Sequence, residues 1–237
     1  MVITSETPVR EIAVELPTAI PVLERYSIDY CCGGKHTLAE ACSRRDVHLA
    51  PVLAELERHQ QRKDLPESQW KIASLKQLMM HIVTHHHDFA RQQLDLLQEL
   101  VTKVERRHGN SHPEIFQVST ALSAARAELM HHFSCEEGVL FPHIGQLETN
   151  EKLALPPVFS SLDQPIARMM QEHDHTGNEL RLLREITNNY QPPVDACTTF
   201  RALYKTMEEL EHDLHQHIHL ENNILFPRAL ALAKEQG

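Results

Sequence analysis

The chain has 237 residues, which is enough for one sizeable core and a smaller appended unit. Its formal net charge of −10 argues against a nucleic-acid-binding protein, which normally carries a basic stripe. No apolar stretch approaches the ~20 residues that a membrane-spanning helix needs, and the opening MVITSETPVREIAVEL lacks the basic and apolar regions of a signal peptide. We therefore expect a cytoplasmic protein that binds neither nucleic acid nor a membrane.

The composition indicates helices and histidine chemistry. Glycine is scarce, with seven residues, and long stretches without glycine or proline predict an all-α fold. The five cysteines are too few and too scattered for a disulfide framework, so we expect reduced thiols. Histidine is abundant, with 18 residues, most of them between His81 and His219.

Residues 1–64 predict a small helical N-terminal domain. Its four candidate helices are PVREIAVELP, TAIPVLERY, TLAEACSRR and LAPVLAELERHQ. Between the second and third lies the turn Asp29-Tyr-Cys-Cys-Gly-Gly34, in which Cys31 and Cys32 are adjacent. Adjacent cysteines make a poor structural disulfide, and the residues alone fit a reactive pair and a buried pair equally well. The polar stretch KDLPESQW that follows predicts a linker.

Residues 72–237 predict an antiparallel four-helix bundle. Apolar side chains recur there at steps of three and four residues, which is the period of an amphipathic helix. Ser74 is a candidate N-cap for the first helix, and Pro113 suits the first turn of the second. The four predicted helices run over about 74–107, 113–147, 162–188 and 193–233. Their short to moderate connections favour antiparallel packing.

The bundle region contains a two-helix repeat. LMHHFSCEEGVLFP in the second helix and LHQHIHLENNILFP in the fourth place Leu, His, Glu, Leu, Phe and Pro in the same register, 85 residues apart. His87-Asp88 in the first helix is echoed by His173-Asp174 in the third, 86 residues on. We therefore expect two halves related by a pseudo-two-fold axis, with a core suited to two metal ions.

The helical period selects the side chains that point into this core. The inward positions are occupied by His87, His132, Glu136, His173, His217 and Glu221. The neighbouring His131 and Glu137 fall out of phase, and Asp88 and Asp174 are expected to be solvated or to orient ligands. We expect six other histidines of these helices to be exposed or peripheral: His81, His85, His86, His212, His215 and His219.

Metal ions would offset the cost of burying these groups. Two carboxylates and four imidazoles in a core lose hydration and need compensation, which two divalent cations can supply. Residues four apart on a helix are neighbours, so each His–Glu pair can chelate from one face. Glu136 and Glu221 would bridge the metals, each of which would take two histidines. This donor set favours iron or manganese and leaves open positions for O2, NO or another small molecule.

The motifs together resemble the Repair of Iron Centers family over nearly the whole chain. The resemblance is carried by Asp29-Tyr-Cys-Cys-Gly-Gly-Lys35, Glu172-His173-Asp174, PPVDACTT at 192–199 and LENNILFPRAL at 220–230. It implies a hemerythrin-like bundle, a cytoplasmic stress-response role and a di-iron centre with four histidines and two bridging glutamates. Carried over by motif, the ligands are the same six residues that the helical phase selects. Cys135, beside the bridging Glu136, departs from the pattern.

The resemblance implies a function in iron–sulfur cluster repair. In this hypothesis the two iron ions help restore clusters damaged by oxidative or nitrosative stress, by supplying iron, and Cys31 and Cys32 have an iron-transfer or redox role. The expected partners are damaged iron–sulfur proteins, NO or O2, and a second copy of the chain in a homodimer. Two alternatives stay open: a nitric oxide reductase or peroxide-consuming di-iron enzyme, and a protein that only binds O2 or NO.

Overall fold

The computed structural model describes residues 2–60, 69–148 and 161–236. Every regular element in these ranges is a helix, and the only strand-like pairing among them is an isolated bridge between Pro8 and Thr37. The all-α prediction is therefore confirmed. Most of the predicted linker lies outside the described residues, so the proposed domain boundaries at residues 64 and 72 stay a prediction. No helix in the described part of the chain has the length and apolar character that a membrane crossing requires.

The chain divides into two compact units, and the first comprises Met1–Leu78 with His215–Gly237. The four short helices predicted near the N-terminus are present in it as α1 to α4. They span Val9–Glu15, Ile20–Arg25, Leu38–Arg44 and Leu49–Gln60. Apolar side chains of all four helices, among them Ile12, Leu23, Leu38 and Leu56, form one buried cluster. The later helices of this unit are α5 (Gln69–Ile72), α6 (Leu75–His81, up to Leu78) and α12 (Phe226–Gln236).

Two helices begin at capping boxes. At the start of α3 the Thr37 hydroxyl accepts a hydrogen bond from the backbone N–H of Glu40 at 3.2 Å, and the Glu40 carboxylate accepts one from the Thr37 N–H at 3.0 Å. Ser74 and Gln77 make the same reciprocal pair at the start of α6, at 3.0 and 3.1 Å. Because such pairs satisfy N–H groups that the helix leaves open, they fix where each helix begins. The predicted N-cap at Ser74 is confirmed.

The second unit, Met79–Leu214, is built on four long helices. They are α7, α8, α10 and α11, which span Asp88–His108, Glu114–Cys135, Asp163–Ile186 and Thr198–Leu220, the last belonging to this unit up to Leu214. The shorter α9 covers Phe141–Leu147. One apolar core receives side chains from all four long helices, including Leu97, Val118, Leu183 and Phe200.

Polar contacts fix the relative directions of these helices. Neighbours that run in opposite directions contact each other in reverse sequence order. The contacts are Arg91–Glu137 and Asp95–Arg126 along α7 and α8, Glu128–His175 and His132–Glu172 along α8 and α10, and His86–Asp213 and His108–Cys197 along α7 and α11. The order reverses in every case, so the predicted antiparallel bundle is observed.

Three helices widen into short π-helical turns. These segments are Ile82–His87, Glu136–Leu140 and Glu221–Leu225. π-Helical turns are rare and often occur at functional sites. Each of the three contains one of the side chains selected from the sequence, namely His87, Glu136 and Glu221.

Packing in the bundle core predicts which phenylalanine contributes most to the stability of the fold. Phe200 is 0% exposed in the apolar core, whereas Phe116 on α8 is 49% exposed. We expect Phe200→Ala to lower the free energy of unfolding by about 3–5 kcal/mol, because it removes packed apolar area and leaves a cavity. Phe116→Ala, the matched control, should change it by roughly 0.5 kcal/mol. Urea unfolding followed by circular dichroism measures both, and equal losses would contradict this assignment of the core.

Candidate metal centre

Glu136 lies between two imidazoles in the interior of the bundle. One carboxylate oxygen is 3.4 Å from Nε2 of His87, and the other is 3.3 Å from Nε2 of His132. Glu136 and His87 are fully buried, and His132 is nearly so. His132 and Glu136 are four residues apart at the end of α8, which places both side chains on one face of the helix.

His173 adds a third imidazole from α10. Its Nε2 lies 3.1 Å from Nε2 of His132, and the two ring centroids are 4.9 Å apart with the ring planes at 65°. His173 is also buried. Within the second unit, side chains from α8, α10 and the π-helical turn before α7 therefore converge on one carboxylate.

His217 and Glu221 repeat the geometry of His132 and Glu136. They stand at the end of α11 and in the π-helical turn that follows it, with His217 Nε2 3.2 Å from a carboxylate oxygen of Glu221. Both side chains are buried. The equivalence predicted from the sequence repeat thus extends to the burial and spacing of the pair.

The six side chains predicted from the sequence have the same character in both units. In the second unit, His87, His132, Glu136 and His173 are buried and linked by the contacts given above. In the first unit, His217 and Glu221 form the equivalent buried pair. Glu136 has an imidazole at each of its two carboxylate oxygens.

The spacing and chemistry of these atoms fit the binding of iron. Neighbouring nitrogen and oxygen atoms of these side chains lie 3.1–3.4 Å apart. Two ligand atoms bound at right angles to one cation, with bonds of about 2.1 Å, lie about 3.0 Å apart. Imidazole nitrogens and carboxylate oxygens without thiolates are a donor set that iron and manganese accept.

The carboxylate of Glu137, which is half-buried, orients His87. Its Nδ1–H donates to Glu137 at 2.7 Å, and the same carboxylate oxygen accepts a hydrogen bond from Arg91 at 2.7 Å. Burial alone would raise the pKa of Glu137, but the hydrogen bonds from Arg91 and His87 outweigh it and lower that pKa. The His87 ring also stacks on Phe133 with centroids 4.3 Å apart. These contacts hold the tautomer and the ring orientation that turn Nε2 towards Glu136.

Glu172 orients His132 in the same way. The Nδ1–H of His132 donates to this carboxylate at 2.8 Å, and Arg168 donates to its other oxygen at 2.9 Å. The hydrogen bond from His132, followed by that from Arg168, lowers the pKa of Glu172 to about 2 despite partial burial. The charged carboxylate favours the tautomer of His132 whose lone pair is on Nε2.

The residues that orient the ligands were not identified from the sequence. Asp88 and Asp174 were candidates, but both are exposed, and Glu137 and Glu172 occupy this position instead. Each is the immediate sequence neighbour of a selected ligand, which is the one local signal that could have pointed to it. Helical phase alone excluded Glu137 because its backbone position is turned away from the core.

The expected exposure of the remaining histidines is wrong for two of them. His86 is 6% exposed and His219 is 3% exposed. A hydrogen bond to Asp213 at 2.9 Å accompanies the burial of His86. His219 packs against the Tyr30 ring with centroids 5.4 Å apart, and burial lowers its pKa to about 4. His81, His212 and His215 are half-buried, and His85 is exposed, as expected.

The adjacent cysteines form a hydrogen-bonded turn. The backbone N–H groups of Cys31 and Cys32 donate to the Asp29 carboxylate at 3.1 and 3.0 Å, and the two sulfur atoms are 3.9 Å apart without a disulfide. Cys31 is buried and Cys32 is half-buried. The hydrogen bond with Cys32, and then burial, raises the pKa of Cys31. A Cβ at Gly34 would lie 2.6 Å from the Tyr30 carbonyl oxygen, so this turn requires glycine.

The chain is similar to two protein-family models and to several known proteins. Residues 78–229, more than half of the chain, match the hemerythrin HHE cation binding domain, and residues 5–60 match ScdA_N, a domain of unknown function. The chain is 38% identical over 227 residues to the iron–sulfur cluster repair protein YtfE of Citrobacter koseri, covering 95% of this chain and 97% of that protein. Proteins with the same name in Escherichia coli O81 (strain ED1a) and Escherichia fergusonii are 38% identical over 226 residues, with the same coverage.

If Glu137 and Glu172 orient histidines that bind iron, removing one of these charges should lower the affinity for iron. Glu172→Gln keeps the shape of the side chain but removes the charge that holds the His132 tautomer. We expect roughly 10–100-fold weaker iron binding, the usual effect of losing such a partner. Iron retention against a chelator, measured at equilibrium, gives the affinity. Glu99→Gln, at an exposed site on α7 paired with Lys103, is the control and should leave retention unchanged. Equal retention in both variants would contradict the orienting role.

Proposed function

Since this chain belongs to the hemerythrin HHE family and to its iron–sulfur cluster repair proteins, we propose that it is a di-iron protein that repairs damaged iron–sulfur clusters. The observation that carries the proposal is the convergence of buried donors on Glu136 within the second unit, from His87 and His132, with His173 against His132. The first unit contains the equivalent buried pair of His217 and Glu221. Damage by oxidative or nitrosative stress creates the clusters to be repaired, and the protein acts by supplying iron.

We assign each proposed iron ion two histidines and a share of both glutamates. His87 and His217 would hold one ion, and His132 and His173 the other. Glu136 and Glu221 would bridge the two; for Glu136 the support is that one carboxylate oxygen contacts His87 and the other contacts His132. Six protein ligands leave coordination positions open, so the bound ions would supply redox-active metal that a small molecule such as NO or O2 can reach.

Burial of the bridging carboxylates suits a protein that gives up its metal. Glu136 and Glu221 are both 0% exposed, so their negative charges depend on nearby positive charge for compensation. A side chain shared by both metal positions would affect both at once. Protonation or displacement of one such carboxylate would therefore weaken both together, which would favour release of iron to a client.

The turn that carries Cys31 and Cys32 also has a role in this function. Cys31 and Cys32 assist transfer of iron or electrons; the half-buried Cys32 gives this turn an accessible sulfur. Damaged iron–sulfur proteins are the clients, and the protein acts in the cytoplasm as a homodimer. The apparent mass in sedimentation tests the last point.

The central experiment measures bound iron and repair in the same preparations. We expect about two irons per chain, antiferromagnetically coupled in Mössbauer and EPR spectra. Glu136→Gln removes one charge shared by both positions and should reduce loading to at most about one iron and abolish reactivation of a nitric-oxide-damaged cluster enzyme. Glu185→Gln, at an exposed site on α10, is the matched control. Full loading and full repair in Glu136→Gln would disprove the bridging assignment.

A second experiment separates the thiols from the metal. We expect a Cys31→Ser/Cys32→Ser double variant to keep the iron content of the wild type, because neither residue is an assigned ligand, and to reactivate the damaged enzyme more slowly. Cys135→Ser, which changes a half-buried cysteine on α8, serves as the control. An unchanged rate with intact iron would remove the thiols from the repair step and leave the di-iron assignment standing.

A further inference from the structure

Tyr30, the residue before the adjacent cysteines, contacts the end of α11 and the π-helical turn that follows it. The ring centroid of Tyr30 is 5.4 Å from that of His219 and 6.3 Å from that of His215, with the rings edge to face in both cases. The backbone carbonyl oxygen of Tyr30 lies 3.0 Å from Nδ2 of Asn223. All four residues belong to the first unit, so these contacts lie within one compact part of the chain.

The amide of Asn223 joins two of these partners. A carbonyl oxygen can only accept, so the amide donates one hydrogen to Tyr30. The same nitrogen lies 2.9 Å from Nδ1 of His219, which therefore accepts the second hydrogen. The peptide group that Asn223 holds at the Tyr30 oxygen is held at its other end by Asp29, whose carboxylate accepts from the Cys31 N–H at 3.1 Å. With both ends of this peptide fixed, the direction of the chain into Cys31 is fixed as well.

The side chain of Tyr30 provides a second anchor through Glu24. The Tyr30 hydroxyl donates to a carboxylate oxygen of Glu24 at 2.8 Å, and the same oxygen lies 3.2 Å from Nδ1 of His215. Tyr30 is buried, and His215 is half-buried. The turn that carries the thiols is therefore attached to this helix by a backbone carbonyl, an aromatic ring and a hydroxyl.

The thiol turn and the proposed iron ligands occupy opposite faces of the helix. His217 is two residues from both His215 and His219, a displacement of about 200° around an α-helix. Glu221 shares the face of His217, since their side chains are 3.2 Å apart. Asn223 shares the face of His219 through the hydrogen bond between them. One face of this helical stretch thus presents the ligand pair, and the other holds Tyr30 and the cysteines that follow it.

We propose that Asn223 is a positioning residue that holds the turn of Cys31 and Cys32 on the back of the helix that carries His217 and Glu221. The inference rests on the proposed function, in which the thiols take part in repair. It adds that the thiols act from the face opposite the ligand pair and are not iron ligands. Loss of the hydrogen bonds from Asn223 should therefore impair repair through the thiols and leave the iron content unchanged.

The test compares rates of repair by the full chain with its iron bound. Asn223→Ala removes both hydrogen bonds and should slow reactivation of a nitric-oxide-damaged cluster enzyme as much as Cys31→Ser/Cys32→Ser does. Adding Asn223→Ala to the double cysteine variant should slow it no further, because a residue that acts through the thiols has no effect once they are absent. Asn178→Ala, at an exposed site on α10, is the matched control and should keep the wild-type rate.

A second measurement needs no damaged enzyme. Alkylation of Cys32 by iodoacetamide, followed by mass spectrometry, should be about fivefold faster in Asn223→Ala, because the turn opens more easily without these hydrogen bonds. Alkylation of Cys135 on α8 should not change. An unchanged rate at Cys32, loss of iron in Asn223→Ala, or additional slowing in the triple variant would overturn the proposal. If the iron-loaded wild type reactivates no enzyme, the repair function fails, and the rate at Cys32 still decides whether Asn223 holds the turn.

Discussion

The burial of ionisable side chains inside an apolar bundle is the constraint on which this structure depends. A carboxylate withdrawn from water costs several kcal/mol unless positive charge lies close to it. Glu136 and Glu221 are both fully buried; Glu136 has two imidazoles at 3.3 and 3.4 Å, and Glu221 has that of His217 at 3.2 Å. Cations at this point would make folding and metal binding parts of one equilibrium. The apolar layer contributed by residues such as Leu97 and Phe200 then keeps the donors rigid and water away.

The sequence contained the information needed to select the donors. His-x-x-x-Glu at a fixed register, in phase with leucines such as Leu129 and Leu214, is a local property of one helix, and the structure buries all six predicted side chains. The partners of those donors are a tertiary property. Glu137 is out of phase on α8, and it reaches His87 only because α7 lies alongside. Glu172 is likewise positioned by the packing of α10 on α8.

Burial of the other histidines was not predictable for the same reason. An amphipathic pattern gives the direction in which a side chain leaves its own helix, but it does not identify what covers the opposite face. His86 is covered where α11 supplies Asp213, and His219 where the turn of Tyr30 packs against it. The π-helical turns limit the prediction in a second way. Side-chain directions predicted from a period of 3.6 residues become wrong where a helix turn contains an extra residue. The wide turns lie at the helix ends that carry His87, Glu136 and Glu221.

The distribution of the wide turns separates a feature that the two halves of the repeat share from one that they do not. A π-helical turn accommodates one residue more than an α-helical turn. Glu136–Leu140 and Glu221–Leu225 have theirs at the same register of the repeat. Ile82–His87 has no counterpart around His173, where α10 is regular. The internal symmetry therefore holds at the two glutamates and is broken at His87, so the two halves present similar side chains from backbones that differ.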